Sequence, residues 1–324
     1  MRRVAASALL ALLCMDAHAH QFSHQIYLKQ YADAERAVAA KLAGEPANPD
    51  ALAARVDLIL AQNQAARLGE ARAAADRCVG ANPASSICAE ALGNVLGGQA
   101  SAGGVTASLG NARAIRDAFQ RAIELDPRNY RARVSLLRYY LKAPFFVGGS
   151  AAKARELAEE TKATDPELAR LMLALCAMND GKKDEAQKLA LSANLANYEL
   201  VDSAQRDLIF NLADAQLDAK RYAEAAALFG ELSRRLPNSE YGNYGLATVA
   251  RAQGKPAEAI AYLERAAAIA PRGFVYQLMG DIHEQQQNRA RAATAYQAAL
   301  NAQPPLSPAQ QSQVSAKLAQ LKQP

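Results

Sequence analysis

The sequence predicts an all-α fold, a solenoid of tandem helical hairpins. Three observations carry this: an alanine-rich composition without tryptophan, one set of spacings that recurs along the chain, and prolines at the end of most recurrences. Alanine is the best helix former, and few aromatics (6%) with scarce β-branched runs leave little material for sheets. The chain has 324 residues, half of them apolar, which suits two globular domains or one long array. Length leaves that choice open, and periodicity decides it.

The ruler is plainest at the C-terminal end. Gly280 is followed twelve residues later by Ala292, then by Tyr296, Ala299 and Pro304. The same offsets join Ala247 to Ala259, Leu263, Ala266 and Pro271, and Ala213 to Ala225, Phe229, Leu232 and Pro237. They also join Ala174 to Ala186, Ala190 and Ala193, and Ile59 to Ala71, Ala75, Cys78 and Pro83. Each copy reads as two amphipathic helices separated by a short break such as Asn179-Asp180-Gly181. Small residues twelve apart let antiparallel helices approach, and the larger residue four later fills the space beside that contact.

In chain order, Met1-Arg2-Arg3 and the apolar stretch Val4 to Met15 read as a signal peptide, too short to span a bilayer, with cleavage expected after Ala19. The expected location is the periplasm or the exterior. Cleavage removes two arginines and one aspartate, taking the net charge from +5 to +4. That mild, evenly mixed excess does not point to nucleic acid. No other apolar stretch reaches membrane-spanning length, so no stable membrane insertion is expected.

Residues 20–49 form a partial copy with Tyr31, Ala34 and Val38 in its second helix. Residues 50–198 hold copies of which two are expected to carry inserted loops between their paired helices: ten extra residues in a Gly-rich stretch at 97–110, and five in an aromatic stretch, APFFVGG, at 143–149. Three regular copies occupy residues 199–304. Ser307-Pro308 then opens a polar capping helix and tail, residues 305–324.

This pattern resembles the tetratricopeptide repeat, most clearly at Gly280, Ala292, Tyr296, Ala299 and Pro304, with Asp126-Pro127 and Asp165-Pro166 matching that family's inter-repeat turn. The run Tyr139-Tyr140-Leu141-Lys142-Ala143-Pro144 followed by Gly148-Gly149-Ser150 is similar to an exported bacterial subgroup with a proline-to-Gly-Gly loop. The resemblance implies a right-handed superhelical solenoid and a binding role without catalysis. It also implies that first-helix side chains line the binding face. Among them are Arg131, Val134, Arg138 and Lys142 in one stretch, and Phe210, Asp214, Tyr241, Tyr244 and Arg251 in another. Further positions are Val56, Leu60, Asn63, Ile87, Glu90, Asn94, Leu168, Leu171, Leu175, Phe274, Asp281 and Glu284.

Chemical motifs are sparse. No HExxH pair, phosphate-binding glycine loop or GxSxG elbow is present, so no catalytic residue, metal or cofactor is assigned. His20 and His24 beside a new N-terminal amine form the one copper-ligating arrangement, against the plainer reading of two solvated histidines. Ser150 is expected to cap a helix rather than hold an anion. Phe145 and Phe146 are consecutive and so cannot both follow a helical core stripe, which marks them as partner anchors. Cys78 and Cys88 flank Pro83 and are expected to form a disulfide in an oxidising compartment, with Cys176 a buried thiol. The leading functional expectation is a periplasmic scaffold for a protein or peptide, in envelope assembly, secretion or transport. The alternatives are a small-ligand or anion receptor gated by the two insertions and, remotely, a copper enzyme.

Overall fold

The structure is a computed structural model that describes residues 19–195 and 201–321, except for the side chains of residues 19–21, 105 and 106. The expected signal segment, apart from Ala19, and the expected boundary at residue 198 lie outside the described residues. Sixteen α-helices and two 3₁₀ turns, and no strand, are found among the described residues. The fold is an all-α helical repeat solenoid, in two compact units.

Unit 1 (Met1–Asp180 with Ala193–Val201) holds α1 (Ala19–Tyr27), α2 (Tyr31–Gly44), α3 (Pro49–Ala61), α4 (Leu68–Ala81), α5 (Ser86–Leu125), α6 (Tyr130–Lys142), α7 (Ala151–Lys162) and α8 (Pro166–Asn179). Unit 2 (Gly181–Ser192 with Asp202–Pro324) holds α9 (Lys183–Ser192), α10 (Asp202–Asp218), α11 (Tyr222–Arg235), α12 (Tyr241–Ala252), α13 (Pro256–Ile269), α14 (Gly273–Gln285), α15 (Arg289–Asn301) and α16 (Pro308–Leu321). The division falls inside the copy that starts at Ala174.

The ruler residues are the core. Ala213, Ala225, Phe229 and Leu232 are fully buried, as are Ala247, Ala259, Leu263 and Ala266 in the next copy and Ala292, Tyr296 and Ala299 in the last. The reason is visible at the glycines. A Cβ on Gly280 would sit 2.4 Å from the Tyr296 ring, and one on Gly93 2.6 Å from the Phe119 ring. These are the same contact, because the extra ten residues in the second pair are the insertion. Gly245 similarly leaves room for Phe229 of the preceding copy.

Helix ends repeat as strictly as cores. Two residues beyond the first helix of six hairpins lies a residue with positive φ: Lys29, Asn63, Gly181, Lys220, Gly254 and Gln287. At Lys220, Gly254 and Gln287 the following amide bonds back five residues, as in Arg221 N–H to Gln216 O (2.9 Å) and Asn288 N–H to His283 O (2.8 Å). This left-handed cap satisfies the last carbonyls and turns the chain into the second helix. Second helices or the turns after them feed side-chain caps: Asn48, Ser85, Asn129 and Asp165 each accept from the amide three residues on.

One expectation is corrected. Residues 97–110 are not a loop: α5 is two helices that meet at Gly104 (φ 74°, ψ −161°), where the chain turns back. The ten extra residues therefore lengthen both paired helices. Glycine there serves close approach as well as turning, since a Cβ on Gly98 would lie 2.7 Å from Leu60 and one on Gly103 2.5 Å from Ala107. The second insertion, 143–149, is a loop holding a single 3₁₀ turn, Phe145–Val147.

Candidate protein-interaction surfaces

In unit 1 the charge of Arg131 is neutralised internally. The Arg131 guanidinium grips Asp57 with two bonds, Nη1 to Oδ2 at 2.8 Å and Nη2 to Oδ1 at 3.1 Å, and its Nε donates to Glu90. Asp57, Glu90 and Arg131 lie on α3, α5 and α6, so one side chain ties three consecutive first helices. Burial works against the charge of Arg131, but Asp57 and Glu90 more than compensate and hold it protonated. Burial pushes the Asp57 carboxyl up, opposed by Arg131. Arg131 is thus a clasp rather than a free anchor, because two carboxylates offset its charge and take a bond from each of its three nitrogens. Val134 is 4% exposed and belongs to the core, which removes it from the binding face. Arg138 is half-buried, and Lys142 stands exposed.

The 143–149 loop is locked. Val147 N–H, Gly148 N–H and Gly149 N–H bond to Pro144 O (3.1 Å), Phe145 O (2.9 Å) and Pro144 O (3.0 Å). Tyr139 Oη donates to Val147 O (2.6 Å), and Ser150 N–H reaches Tyr140 O (2.8 Å). A side chain at Gly149 would place its Cβ 1.7 Å from Ala143 O, and Gly148 takes φ 103° against Arg116. Only glycines fit this path. Val147 turns inward, while Phe145 and Phe146 are 86% and 58% exposed, edge to face at 5.7 Å. Ser150 caps α7, accepting from Lys153 N–H at 3.2 Å.

Beside this loop, an open cleft of about 360 Å³ is lined by Gln120, Tyr140, Lys153, Glu124, Glu156 and Glu160, among others. Three carboxylates against one ammonium do not suit an anion. This acidic balance leaves the anion-receptor reading without a site here.

Unit 2 brings its sequence-expected residues together. Phe210 on α10 meets Tyr241 (5.8 Å, edge to face) and Tyr244 (6.4 Å, stacked) on α12, and these meet Phe274 on α14 at 5.3 and 4.9 Å. The rings form a half-buried ladder across three first helices, each favourable pair contributing about 0.5–1.5 kcal/mol beyond area burial. Burial raises the phenol pKa of Tyr241 and Tyr244, so both remain neutral donors. Arg206, absent from the sequence-derived set, lies over the Tyr241 ring at 4.6 Å while bonding Asp207. Asp214 is exposed, its carboxyl raised by partial burial and by Asp218. Arg251 Nε reaches Gln285 Oε1 at 3.4 Å.

The ladder ends where α16 closes the unit. Lys317 Nζ donates to Asp281 Oδ1 (2.6 Å) and sits near Glu284 Oε2 (3.4 Å), and Tyr296 Oη lies 2.7 Å from both carboxylates. Val314 and Leu318 of α16 are buried, so the polar helix covers the last core layer as a cap.

Cys78 and Cys88 are joined by a disulfide with Cα atoms 5.2 Å apart, and Cys176 is a buried free thiol whose pKa burial raises to about 11. The His20 side chain lies outside the described residues. Among the described residues, no group of three or more His, Cys, Asp or Glu side chains is placed to hold a metal, and no helix is long and apolar enough to cross a membrane.

Residues 202–323 match the family described as a tetratricopeptide repeat-like domain. Over this stretch the chain is similar to TPR-like domains. That match coincides with the stretch of unit 2 from Asp202 onward. No curated protein matches the chain by sequence. Solved structures with the same fold include yeast Tom70 (15% identity, TM-score 0.61, covering 91% of this chain and 59% of that one). Human IFIT1, as a dimer with m7Gppp-AAAA, is another (15% identity, TM-score 0.52, 97% and 75%). A chain of the APC/C hetero-tetramer Cut9-Hcn1 also matches (13% identity, TM-score 0.47, 90% and 53%). This chain therefore spans 53% and 59% of the lengths of the Cut9-Hcn1 and Tom70 chains. At these identities the likeness is one of fold alone, that of an all-α helical repeat solenoid.

Proposed function

We propose that this protein is a periplasmic scaffold without catalytic activity, and that it holds an extended segment of a partner protein along the aromatic ladder of unit 2. The carrying observation is the continuous contact from Phe210 through Tyr241 and Tyr244 to Phe274, on three helices that a repeat fold keeps in fixed register. Half-buried tyrosines supply rigid apolar area with a polar tip, the chemistry that dominates protein interfaces. Around them Asp207, Asp214, Asp281 and Glu284 alternate with Arg206 and Arg251, a rim that suits a peptide of mixed charge.

A nucleic acid is the reading that IFIT1 with its capped oligonucleotide would suggest, and aromatic rings do stack on bases. Phosphates, however, would meet four carboxylates against Arg206, Arg251 and Lys317, of which Arg206 and Lys317 are already paired, so a protein segment is favoured. The basic, apolar N-terminal stretch and the disulfide both accord with an exported protein, in envelope assembly, secretion or transport. Selection from a displayed peptide library on the purified protein tests the site. Selected peptides should lose at least about tenfold in affinity for Tyr241→Ala, about 1.4 kcal/mol. Equal affinity for a folded Tyr241→Ala protein places the site elsewhere.

A further inference from the structure

The large hydrophobic side chains left exposed among the described residues are Leu109, Phe145 and Phe146, and all three belong to unit 1. Phe145 and Phe146 form the tip of a loop that eight consecutive residues build with little freedom. Two glycines that accept no side chain, three turn hydrogen bonds and the Tyr139 phenol fix it. A flexible loop would fold such rings inward. This one holds them out.

The surroundings are cationic. Arg116 lies against Gly148, paired with Asp117 at 2.7 Å, and Arg113 is exposed on the same helix one turn earlier. Lys142 immediately precedes the loop and Lys153 follows it, both exposed. Among the acidic groups on the same elements, Asp117 is taken by Arg116, and Glu124, Glu156 and Glu160 line the neighbouring cleft, where they outnumber Lys153, so Lys142 and Arg113 are the exposed cations of the collar. Leu109 stands seven residues before Arg116 on α5, two turns away on nearly the same helix face, so it extends the apolar tip along the helix that packs on the loop.

We infer that this tip is a reversible anchor to an anionic phospholipid surface. Two protruding phenylalanines and a leucine enter the headgroup–acyl boundary while Lys142 and Arg113 meet lipid phosphates. Apolar side chains projecting from a basic collar are the composition of interfacial membrane contacts. Area separates a bilayer from a protein partner. Two Phe side chains present about 150–250 Å² each when fully counted, whereas a stable protein interface needs about 800 Å² per side. A bilayer needs no complementary pocket and accepts a small wedge. The anchor is independent of the aromatic ladder in unit 2 and stands or falls separately from it.

The chain contains no tryptophan, so Phe145→Trp creates a single fluorescent reporter at the tip. The exported, purified full-length product carrying Phe145→Trp is titrated with vesicles of phosphatidylcholine, with and without about 30 mol % phosphatidylglycerol. The expected result is a blue shift and quenching by brominated acyl chains with the anionic vesicles, weakened by salt and by Lys142→Glu with Arg113→Glu. In sedimentation, Phe145→Ser with Phe146→Ser should lower vesicle partition of the otherwise unchanged protein at least about tenfold. Circular dichroism confirms that the variants remain folded, which is expected because both rings are in solvent. Unchanged emission with anionic vesicles from a folded protein overturns the proposal, as does an equal shift with neutral vesicles. A shift produced only by a co-purifying protein overturns it in favour of a protein partner.

Discussion

Gly280 and Gly230 are both helical glycines of unit 2, yet alanine should act on them in opposite directions. Replacing a helical glycine by alanine stabilises by about 0.8–1 kcal/mol through helix propensity. At Gly230 nothing lies within 4 Å of the added carbon, so that gain should appear in full. At Gly280 the new Cβ would lie 2.4, 2.5 and 2.9 Å from three atoms of the Tyr296 ring. Ordinary contact is about 3.5–4 Å, so the ring would have to move by about 1 Å. It cannot do so freely, because Tyr296 is fully buried and its hydroxyl is held between Asp281 and Glu284 at 2.7 Å each. Overpacking of this kind costs about 1–3 kcal/mol. The propensity gain cancels between the two variants, so Gly280→Ala should be less stable than Gly230→Ala by about 1–3 kcal/mol. Urea unfolding followed by circular dichroism reads the difference as a shift of midpoint at constant slope. Equal stabilisation by both alanines would refute the claim that the small–large contact holds the hairpin together.

Three more outcomes follow from the structure. The Glu231 carboxyl is lowered from 4.5 to about 2, first by hydrogen bonding from Arg234 and then from Arg235. Its stabilising contribution is therefore full above the unfolded value of 4.5 and lost as pH falls toward 2, so Glu231→Gln should be less stable than wild type at neutral pH and converge with it in acid melts. Arg131→Met leaves Asp57 and Glu90 without their partner and should cost about 3–5 kcal/mol in thermal or urea unfolding, much of it recovered by adding Asp57→Asn and Glu90→Gln. Thiol titration of the chain from residue 20, denatured without reductant, should find the single thiol of Cys176, and three reactive thiols would mean that Cys78 and Cys88 are unbonded.

Much of this architecture was legible in the sequence because close helix contacts demand small residues, and small residues at fixed offsets leave a countable signature. Gly280, Ala292 and Tyr296 announce their contact in one line of sequence. The 97–110 stretch was misread because glycine signals both turns and close approach, and only neighbouring side chains such as Leu60 distinguish them. Arg133 shows another limit. It stands where the repeat usually places an aromatic, and it is buried by donating to Pro127 O and Thr161 Oγ1 at 2.7 and 3.2 Å.

The site was legible in part for the same reason. First-helix positions gave the ladder residues Phe210, Tyr241 and Tyr244, but not Arg206, which reaches the Tyr241 ring from outside the repeat ruler. The Arg131 clasp escaped because its partners Asp57 and Glu90 lie 74 and 41 residues away, at different offsets from their own ruler positions, and only a long side chain bridges the difference. Opposite charges on successive first helices were the available signal.

Photo-crosslinking in exporting cells tests the scaffold reading most directly. A photoreactive phenylalanine analogue placed at Tyr241 sits on the ladder, and one placed at Glu264 on α13 serves as a control outside the set of first helices. Position 241 should yield one discrete crosslinked polypeptide, released by Phe274→Ala and absent from position 264. No crosslink at 241, or the same products from both positions, would contradict the account.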